Sequence, residues 1–465
     1  MRTSISIVAV LALCGAATAC SRGATSSTAT TAPPAAVATT GTGPTATTVA
    51  DPCRTAALQS SDTGITSTTI TVEVMADVGS PLAPGLFQGN FDAMNAFAKY
   101  VNAHGGIGCR QLKVKTWDSR LDATESKNGL IDACANAVAM VGNNALFNPD
   151  VSPMTGCVDL AGHPTGLPDI AALTNDSNEM CAPTTFVISG VYQKCPVAPG
   201  VRPLTANIGQ IRWFLSTNPG LHGLYLAASD TPTLVQSAAY LIASQKQAGI
   251  VFDGTPKVSG FDTQTAYTPR VAVVKQAKSD YVFNGSNDVA MIRMRKEALA
   301  QGVTGVKVWG CTLACYTPAM LSEGGSAVEG TYVAGGFLPF EEASLNAQDE
   351  AYVSNVPSLT TWGAEAWQAG LAFQQVVDKI VATDGPNAIT RAAILDGLRN
   401  IGQFTADGWM GPTDLRSLSP CFLVMQIQGG KFVRSYPPTP GTFDCNPANL
   451  VTVNIDTAAA GAQLK

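Results

Sequence analysis

Histidine is nearly missing from this chain, with three in 465 residues, and charged residues of both signs make up only 13%. The first shortage leaves little material for metal sites or for general bases at neutral pH. The second, with a formal net charge of −6 and no basic run, excludes the electropositive surface that nucleic-acid binding requires. Catalytic signatures are missing too: the sequence has no GxSxG elbow, no HExxH helix and no GxxxxGKS/T loop. His104 precedes Gly105-Gly106 and reads as a helix C-cap. His163 and His222 lie in Gly/Pro-rich loops without an acidic neighbour at useful spacing, and read as surface residues. There is no CxxC pair, so the cysteines do not read as a zinc site. Neither a cofactor nor a metal is expected.

What is present buries well. Hydrophobic residues reach 46%, and 465 residues exceed one compact core. The N-terminus reads as a targeting segment. Arg2 supplies a positive start, and Ile5 to Gly15 is apolar but too short to span a bilayer. Ala17-Thr18-Ala19-Cys20 ends it with small residues before a cysteine. That ending resembles a bacterial lipobox, which implies a lipoprotein signal peptide over residues 1–20 and lipidation of Cys20. The alternative is plain secretion with cleavage after Ala19. Residues 21–50 are Thr, Ala, Ser, Pro and Gly with hardly a charge, and read as a disordered tether.

Of twelve cysteines, Cys14 falls in the apolar stretch and Cys20 at the lipidation position, leaving an even ten. In a secreted chain that points to disulfides, although order alone permits many pairings. Cys421 and Cys445 flank a hairpin, and Cys311 and Cys315 bracket a short loop. Cys134 with Cys157 and Cys181 with Cys195 come next, leaving Cys53 with Cys109. Some of these remain readable as buried thiols.

Past the tether, strand and helix patterns alternate. Thr69 to Met75 is β-branched; Phe91, Met94, Phe97, Tyr100 and Val101 recur at helical spacing; Leu112, Val114 and Thr116 alternate. Asp122 with Glu125 has capping-box spacing for a helix to about Ala139. Strands follow at Met140 to Gly142 and Asp169 to Leu173. A loop-rich break runs from Ser189 to Pro203, and the alternation restarts. Strands are expected near Leu224, Ile250, Tyr281, Lys307 and Thr331, with helices over 233–248, 265–278 and 288–301. Long helices, 359–383 and 389–400, precede a hairpin over 422–434 turned by Gly429-Gly430. Trp362 and Trp367 on the first of these helices read as core. Two βαβ series imply an α/β fold of two doubly wound parallel-sheet lobes.

The run Asp77 to Gly108 carries a Gly79-Ser80-Pro81-Leu82-Ala83 loop and ends in Tyr100-Val101-Asn102-Ala103-His104-Gly105-Gly106-Ile107. It resembles type I periplasmic binding proteins, in particular the leucine/isoleucine/valine-binding branch of ABC importer substrate-binding lipoproteins. Asp118 to Asp122, Val141-Gly142, Phe283-Asn284-Gly285, Ala298 to Gly302 and Gly330 to Val333 follow in the family's order, so the resemblance spans Ile65 to Arg434. It implies three crossings between lobes, near Ser189, Gly336 and Leu415. Lobe 1 would be residues 65–188 plus 337–414, and lobe 2 residues 189–336 plus 415–440.

The function so implied is an extracytoplasmic lipoprotein, monomeric and without catalytic activity, anchored to the outer face of the cell membrane. It captures a small polar solute (an amino acid, amide or related organic molecule) by lobe closure and delivers it to the transmembrane subunits of an ABC permease. Ligands of open parallel sheets sit beyond the C-terminal strand ends, so the ligand-binding candidates follow strands. On lobe 1 they are Ser80, Asn143, Asn144, Phe147, Thr174 and Asn175. On lobe 2 they are Tyr192, Asp230, Ser286, Asn287 and Thr312. Ser80, Thr174 and Asn287 also read as caps or turn residues, and Phe147 and Tyr192 as packing. One departure matters. The family's amino-acid binders hold the ligand ammonium with an acidic side chain after the strand matching Lys307 to Trp309, and here Gly310 to Cys315 has no carboxylate. The loop before Asn148 also lacks the family's serine run. Either Asp230 or Asp288 takes the ammonium, or the ligand is not an α-amino acid. The rival readings are a ligand-sensing surface receptor lipoprotein and a secreted hydrolase.

Overall fold

The computed structural model describes residues 52–464, except 82, 191, 194, 197–199 and 457–458. The signal peptide, the lipidation of Cys20 and the tether over 21–50 lie outside the described residues. The first sheet holds β1 (Thr69–Ala76), β2 (Gln111–Asp118), β3 (Ala139–Asn143), β4 (Asp169–Thr174) and β5 (Thr185–Gly190). All pairings are parallel, in the doubly wound order β2-β1-β3-β4-β5. Every residue of β3 and β4 is buried, as helices on both faces require. Ile70, Val72 and Val74 of β1 meet Phe97 and Trp367 on one face. Met75 packs with Leu130, Ala133 and Met140 on the other. Glu73 shares that second face with Lys115, 3.4 Å away; burial raises its carboxyl to about 8.

The stretch read as a loop-rich break contains β6 (Tyr192–Gln193) and β7 (Val201–Asn207). The second sheet follows: β8 (His222–Ala228), β9 (Val251–Gly254), β10 (Lys257–Val258), β11 (Tyr281–Asn284), β12 (Val308–Cys311), β13 (Thr331–Gly335), β14 (Leu423–Gln428) and β15 (Lys431–Tyr436). Its order is β10-β8-β11-β12-β13-β14-β15, with β9 also on β8. Pairing is parallel as far as β13, and the terminal hairpin adds β14 and β15 antiparallel. The hairpin turns at Gly429 and Gly430, both at positive φ, and Glu329 accepts both their N–H groups at 2.9 and 2.6 Å. β16 (Leu450–Asp456) returns to pair with β7, making a third sheet, β16-β7-β6. Pro203 had made β7 read as loop. It is tolerated because β6 reaches only Leu204 and Thr205, so β7 has one neighbour at the proline.

The helices fall close to expectation: Gln88–Ala103, Ala123–Asn136, Pro232–Ala248, Asp288–Ala300, Thr361–Asp384 and Arg391–Arg399. Asp122 caps as its spacing indicated, accepting from Thr124 and Glu125. The helix expected from residue 265 starts as a 3-10 turn, Gln264–Tyr267, and becomes α-helical at Thr268–Ala277, where Pro269 is tolerated in the first turn. Five disulfides form, Cys53–Cys109, Cys134–Cys157, Cys181–Cys195, Cys311–Cys315 and Cys421–Cys445. Trp367 is fully buried against Phe97 and Tyr352. Trp362 is half-buried and meets Phe87 edge-on. The histidines need one correction. His163 has Asp159 at 3.1 Å and His222 has Asp253 at 2.9 Å. The second pair is 31 residues apart in sequence, which local spacing does not reveal. Both histidines are exposed at the side chain. Among the described residues, no helix is long and apolar enough to cross a membrane.

Candidate functional site

Three connecting segments join the lobes, and backbone hydrogen bonds tie them together. The first leaves β5, where a Cβ on Gly190 would lie 2.1 Å from the Thr174 carbonyl oxygen. The second leaves β13 through Gly336; its carbonyl accepts from Gly411 N at 3.0 Å on the third. The third also reaches β5, from which the first departs, as Leu415 O accepts from Val187 N at 2.7 Å. Asn207, at the end of β7, donates to Ser419 O at 3.1 Å and Cys421 O at 3.3 Å, and accepts from Gly209 N at 2.9 Å. Gly209 permits this closeness, since a Cβ there would stand 2.3 Å from the Phe422 ring.

A cavity of about 300 Å³ opens where these segments meet the sheets. Ile188 and Ser189 wall it from β5, Phe283 from β11, Thr312 and Leu313 from beyond β12, and Ala334 to Phe337 from the second connection. Met410, Gly411, Thr413 and Leu418 to Phe422 bar Pro420 come from the third. Gln210 and Ile211 add one helix, Tyr240, Leu241, Ser244 and Gln245 another, and Glu365 and Gln368 the Thr361–Asp384 helix. That last helix starts here because the Thr360 side chain caps it, accepting from Gly363 N at 3.0 Å. The Thr361 hydroxyl then reaches the other lobe, donating to Leu313 O at 3.1 Å and Tyr316 O at 3.4 Å.

The lining is mostly apolar, with one carboxylate. Burial raises Glu365 to about 8, the Ser189 hydroxyl is its hydrogen-bond partner, and its Oε2 has no protein partner. Gln368 Nε2 and Gln210 Nε2 have none either. Burial pushes the Tyr240 hydroxyl far above its usual range, so it stays neutral.

Of the residues expected from sequence to bind ligand, Thr312 lines this cavity, with its hydroxyl 3.5 Å from Ser286 O. Ser286 N donates to Asn284 Oδ1 at 3.2 Å, and Asn287 caps the Asp288–Ala300 helix. Tyr192 is buried beside the cavity, its hydroxyl on Val187 O at 3.0 Å; burial and then the charge of Glu365 raise its pKa. Asp230 accepts from Ser259 Oγ at 2.5 Å and Gly260 N at 3.1 Å. Asp288 accepts from the Thr317 hydroxyl. On the first lobe, Asn143 accepts from Met75 N at 3.0 Å and donates to Asp169 Oδ1 at 2.6 Å. Thr174 donates to Glu179 Oε2 at 2.7 Å. Ser80 and Asn144 are buried, and neither amide atom of Asn144 has a protein partner. Phe147 and Asn175 are half-buried. The lobe 1 residues therefore cluster beyond β1, β3 and β4, apart from the cavity's lining. Glu365, Gln368 and Ser189 escaped the sequence reading. Their one signal was that Glu365 is the only charge between Thr361 and Phe373.

A profile of the periplasmic binding protein family matches residues 69–431. Among solved structures, the chain is similar to a fatty acid ABC transporter substrate-binding protein from Thermomonospora curvata, at 15% identity and a TM-score of 0.58, covering 82% of this chain and 97% of that one. It is also similar to a leucine binding protein LivK from Thermotoga maritima (12%, TM-score 0.59, 82% and 99% covered). A third is an extracellular ligand-binding receptor from Rhodopseudomonas palustris HaA2 (16%, TM-score 0.59, 79% and 100% covered). No curated protein sequence matches the chain.

Proposed function

The chain belongs to the periplasmic binding protein family, and from that premise we propose that it captures a small organic molecule in the cavity at its three connecting segments and hands it to an ABC permease. It is a substrate-binding protein of the ABC transporter type, which works outside the cytoplasm. The finer reading is a monomer held at the outer face of the cell membrane through lipidated Cys20, which closes on its ligand without chemistry. One observation carries it: the cavity of about 300 Å³ is walled by both sheets' ends and by every connecting segment. A guest there touches what must move when the lobes close, so it has differential affinity for the closed state.

The walls shift the expected ligand. At a liquid's roughly 30 Å³ per small molecule of water, the space holds on the order of ten non-hydrogen atoms. Ile188, Ile211, Phe283, Leu313, Phe337 and Met410 supply mostly apolar contact, so a largely apolar body fits better than the small polar solute expected from the sequence. The test is a thermal-shift screen of the purified chain against amino acids, amides, amines, organic acids and sugars. A ligand raises the melting temperature by mass action, and small-angle scattering should report a more compact particle with it. A flat response across the whole screen, or turnover of any compound in it, would overturn the reading.

A further inference from the structure

Resting on that reading of the cavity, we propose that the ligand is a small organic cation, an ammonium group on a largely apolar body, and that Glu365 is its counter-charge. Glu365 is 2% exposed and Gln368 1%. They stand three residues apart, so they share a face of the Thr361–Asp384 helix. Both residues line the cavity, and Glu365 Oε2 and Gln368 Nε2 are buried and lack a protein partner. Among the described residues lining the cavity there is no lysine, arginine or histidine, and Glu365 is the one carboxylate.

The charge balance selects the guest. A carboxylate or phosphate would bring a negative charge against a lining that has no cation to neutralise it. A neutral guest would meet the protonated Glu365 carboxyl only through a hydrogen bond and would gain no ion pair. An ammonium group provides an ion partner in surroundings of low polarity, where the attraction is strong. Gln368 Nε2 remains to donate to an oxygen on the same ligand, and Phe283, Leu313, Phe337 and Met410 cover its apolar part.

Capture should then release a proton. Burial raises the empty site's carboxyl to about 8, so below that pH it is mostly neutral until a cation arrives. The groups facing it do not alter this. Ser189, Gln368, Gln210, Thr312 and Thr413 are uncharged, and the Tyr240 and Tyr192 hydroxyls are held neutral by burial. Affinity for an ammonium ligand should therefore rise by about tenfold from about pH 6 to 7, by about fivefold from about 7 to 8, and then level off.

Isothermal titration calorimetry of the purified full chain tests this with three amines: isobutylamine, cyclohexylamine and phenethylamine. Isobutyramide, cyclohexanecarboxylate and 3-phenylpropionate are the uncharged and anionic counterparts. The expected result is binding of at least one amine, tighter at pH 8 than at pH 7 by about fivefold, with proton release read from buffers of different ionisation enthalpy. Glu365→Gln should weaken that amine by about a hundredfold while its melting temperature stays at or above that of the unaltered chain, which shows the fold intact. Binding of no amine, tighter binding of a carboxylate or amide, or unchanged amine affinity in Glu365→Gln would each overturn the assignment. If a carboxylate or amide binds and compacts the particle, only the Glu365 assignment fails. If nothing in the wider screen binds, the binding-protein reading fails with it.

Discussion

A buried carboxyl with one unpartnered oxygen should be a liability in the empty protein, and Glu365→Gln measures it. The substitution keeps the shape and an acceptor for Ser189 but removes the ionisation. The folded carboxyl is raised from the ordinary 4.5 to about 8 by burial. A raised carboxyl means that its contribution to stability is complete below about pH 4.5 and is lost as pH climbs towards 8. At roughly 1.4 kcal/mol per pH unit, the unaltered protein gives up about 3 kcal/mol by pH 7. With an unfolding entropy near 2.1 cal/mol/K per residue over roughly 400 residues, that corresponds to about 3–4 °C. Scanning calorimetry without ligand should show Glu365→Gln equal to the unaltered chain near pH 4.5 and more stable by about 3 °C at pH 7. The gap should widen towards pH 8. A constant gap from pH 5 to 8, or a less stable variant at pH 8, would refute the reasoning, because either result means that Glu365 ionises normally within the fold.

Arg391 is fully buried, and its guanidinium donates to the carbonyls of Val158 (2.7 Å), Cys134 (2.6 Å) and Ala137 (2.6 Å). Arg391→Ala should cost about 3–5 kcal/mol in urea unfolding, since it orphans all three. On β8, a Cβ at Gly223 would lie 1.6 Å from the Tyr281 carbonyl oxygen, whereas one at Gly336 would meet nothing within 4 Å. Gly223→Ala should therefore abolish soluble expression or lower the melting temperature sharply, while Gly336→Ala stays within about 1 kcal/mol. Replacing both Cys53 and Cys109 with serine opens a link across 56 residues and should lower stability by about 4 kcal/mol on the chain-entropy account, measured by calorimetry. Cys181 and Cys195, only 14 apart, should cost about 3 kcal/mol.

Much of the fold is legible because its signals are local. β1 is Thr-Ile-Thr-Val-Glu-Val-Met-Ala, and the Ala123–Asn136 helix carries a cap at Asp122 that a reader can see in sequence. The third sheet was not legible. β7 is half-buried and contains Pro203, and its partner β16 lies some 250 residues further on, so neither alternation nor proximity announces the pair. The site is harder still. Asn143 and Thr174 follow strands as binding residues do, yet that rule cannot tell a side chain aimed at a ligand from one aimed at Asp169 or Glu179. Glu365 has the reverse problem. Its helix reads as core from Trp362 to Phe373, and only the meeting of three distant segments turns one position of that core into a cavity wall.

That meeting also explains why a single guest can govern closure. The three connections are not independent hinges, because Gly336 O with Gly411 N, and the Asn207 side chain with Ser419 O and Cys421 O, bind them into one strap. A strap bends as a unit, so the lobes have one principal way to move. The cavity lies on the strap with Glu365 on one side and Thr312 on the other. Beside it, the Thr361 hydroxyl bridges from the first lobe to Leu313 O on the second. A ligand that satisfies Glu365 and also touches the Thr312–Leu313 turn gains its second contact only when that bridge is made. Its affinity for the two states then differs by the energy of that contact, which is the quantity that shifts the population. A molecule that reaches Glu365 alone would bind both states equally and leave the lobes where they were.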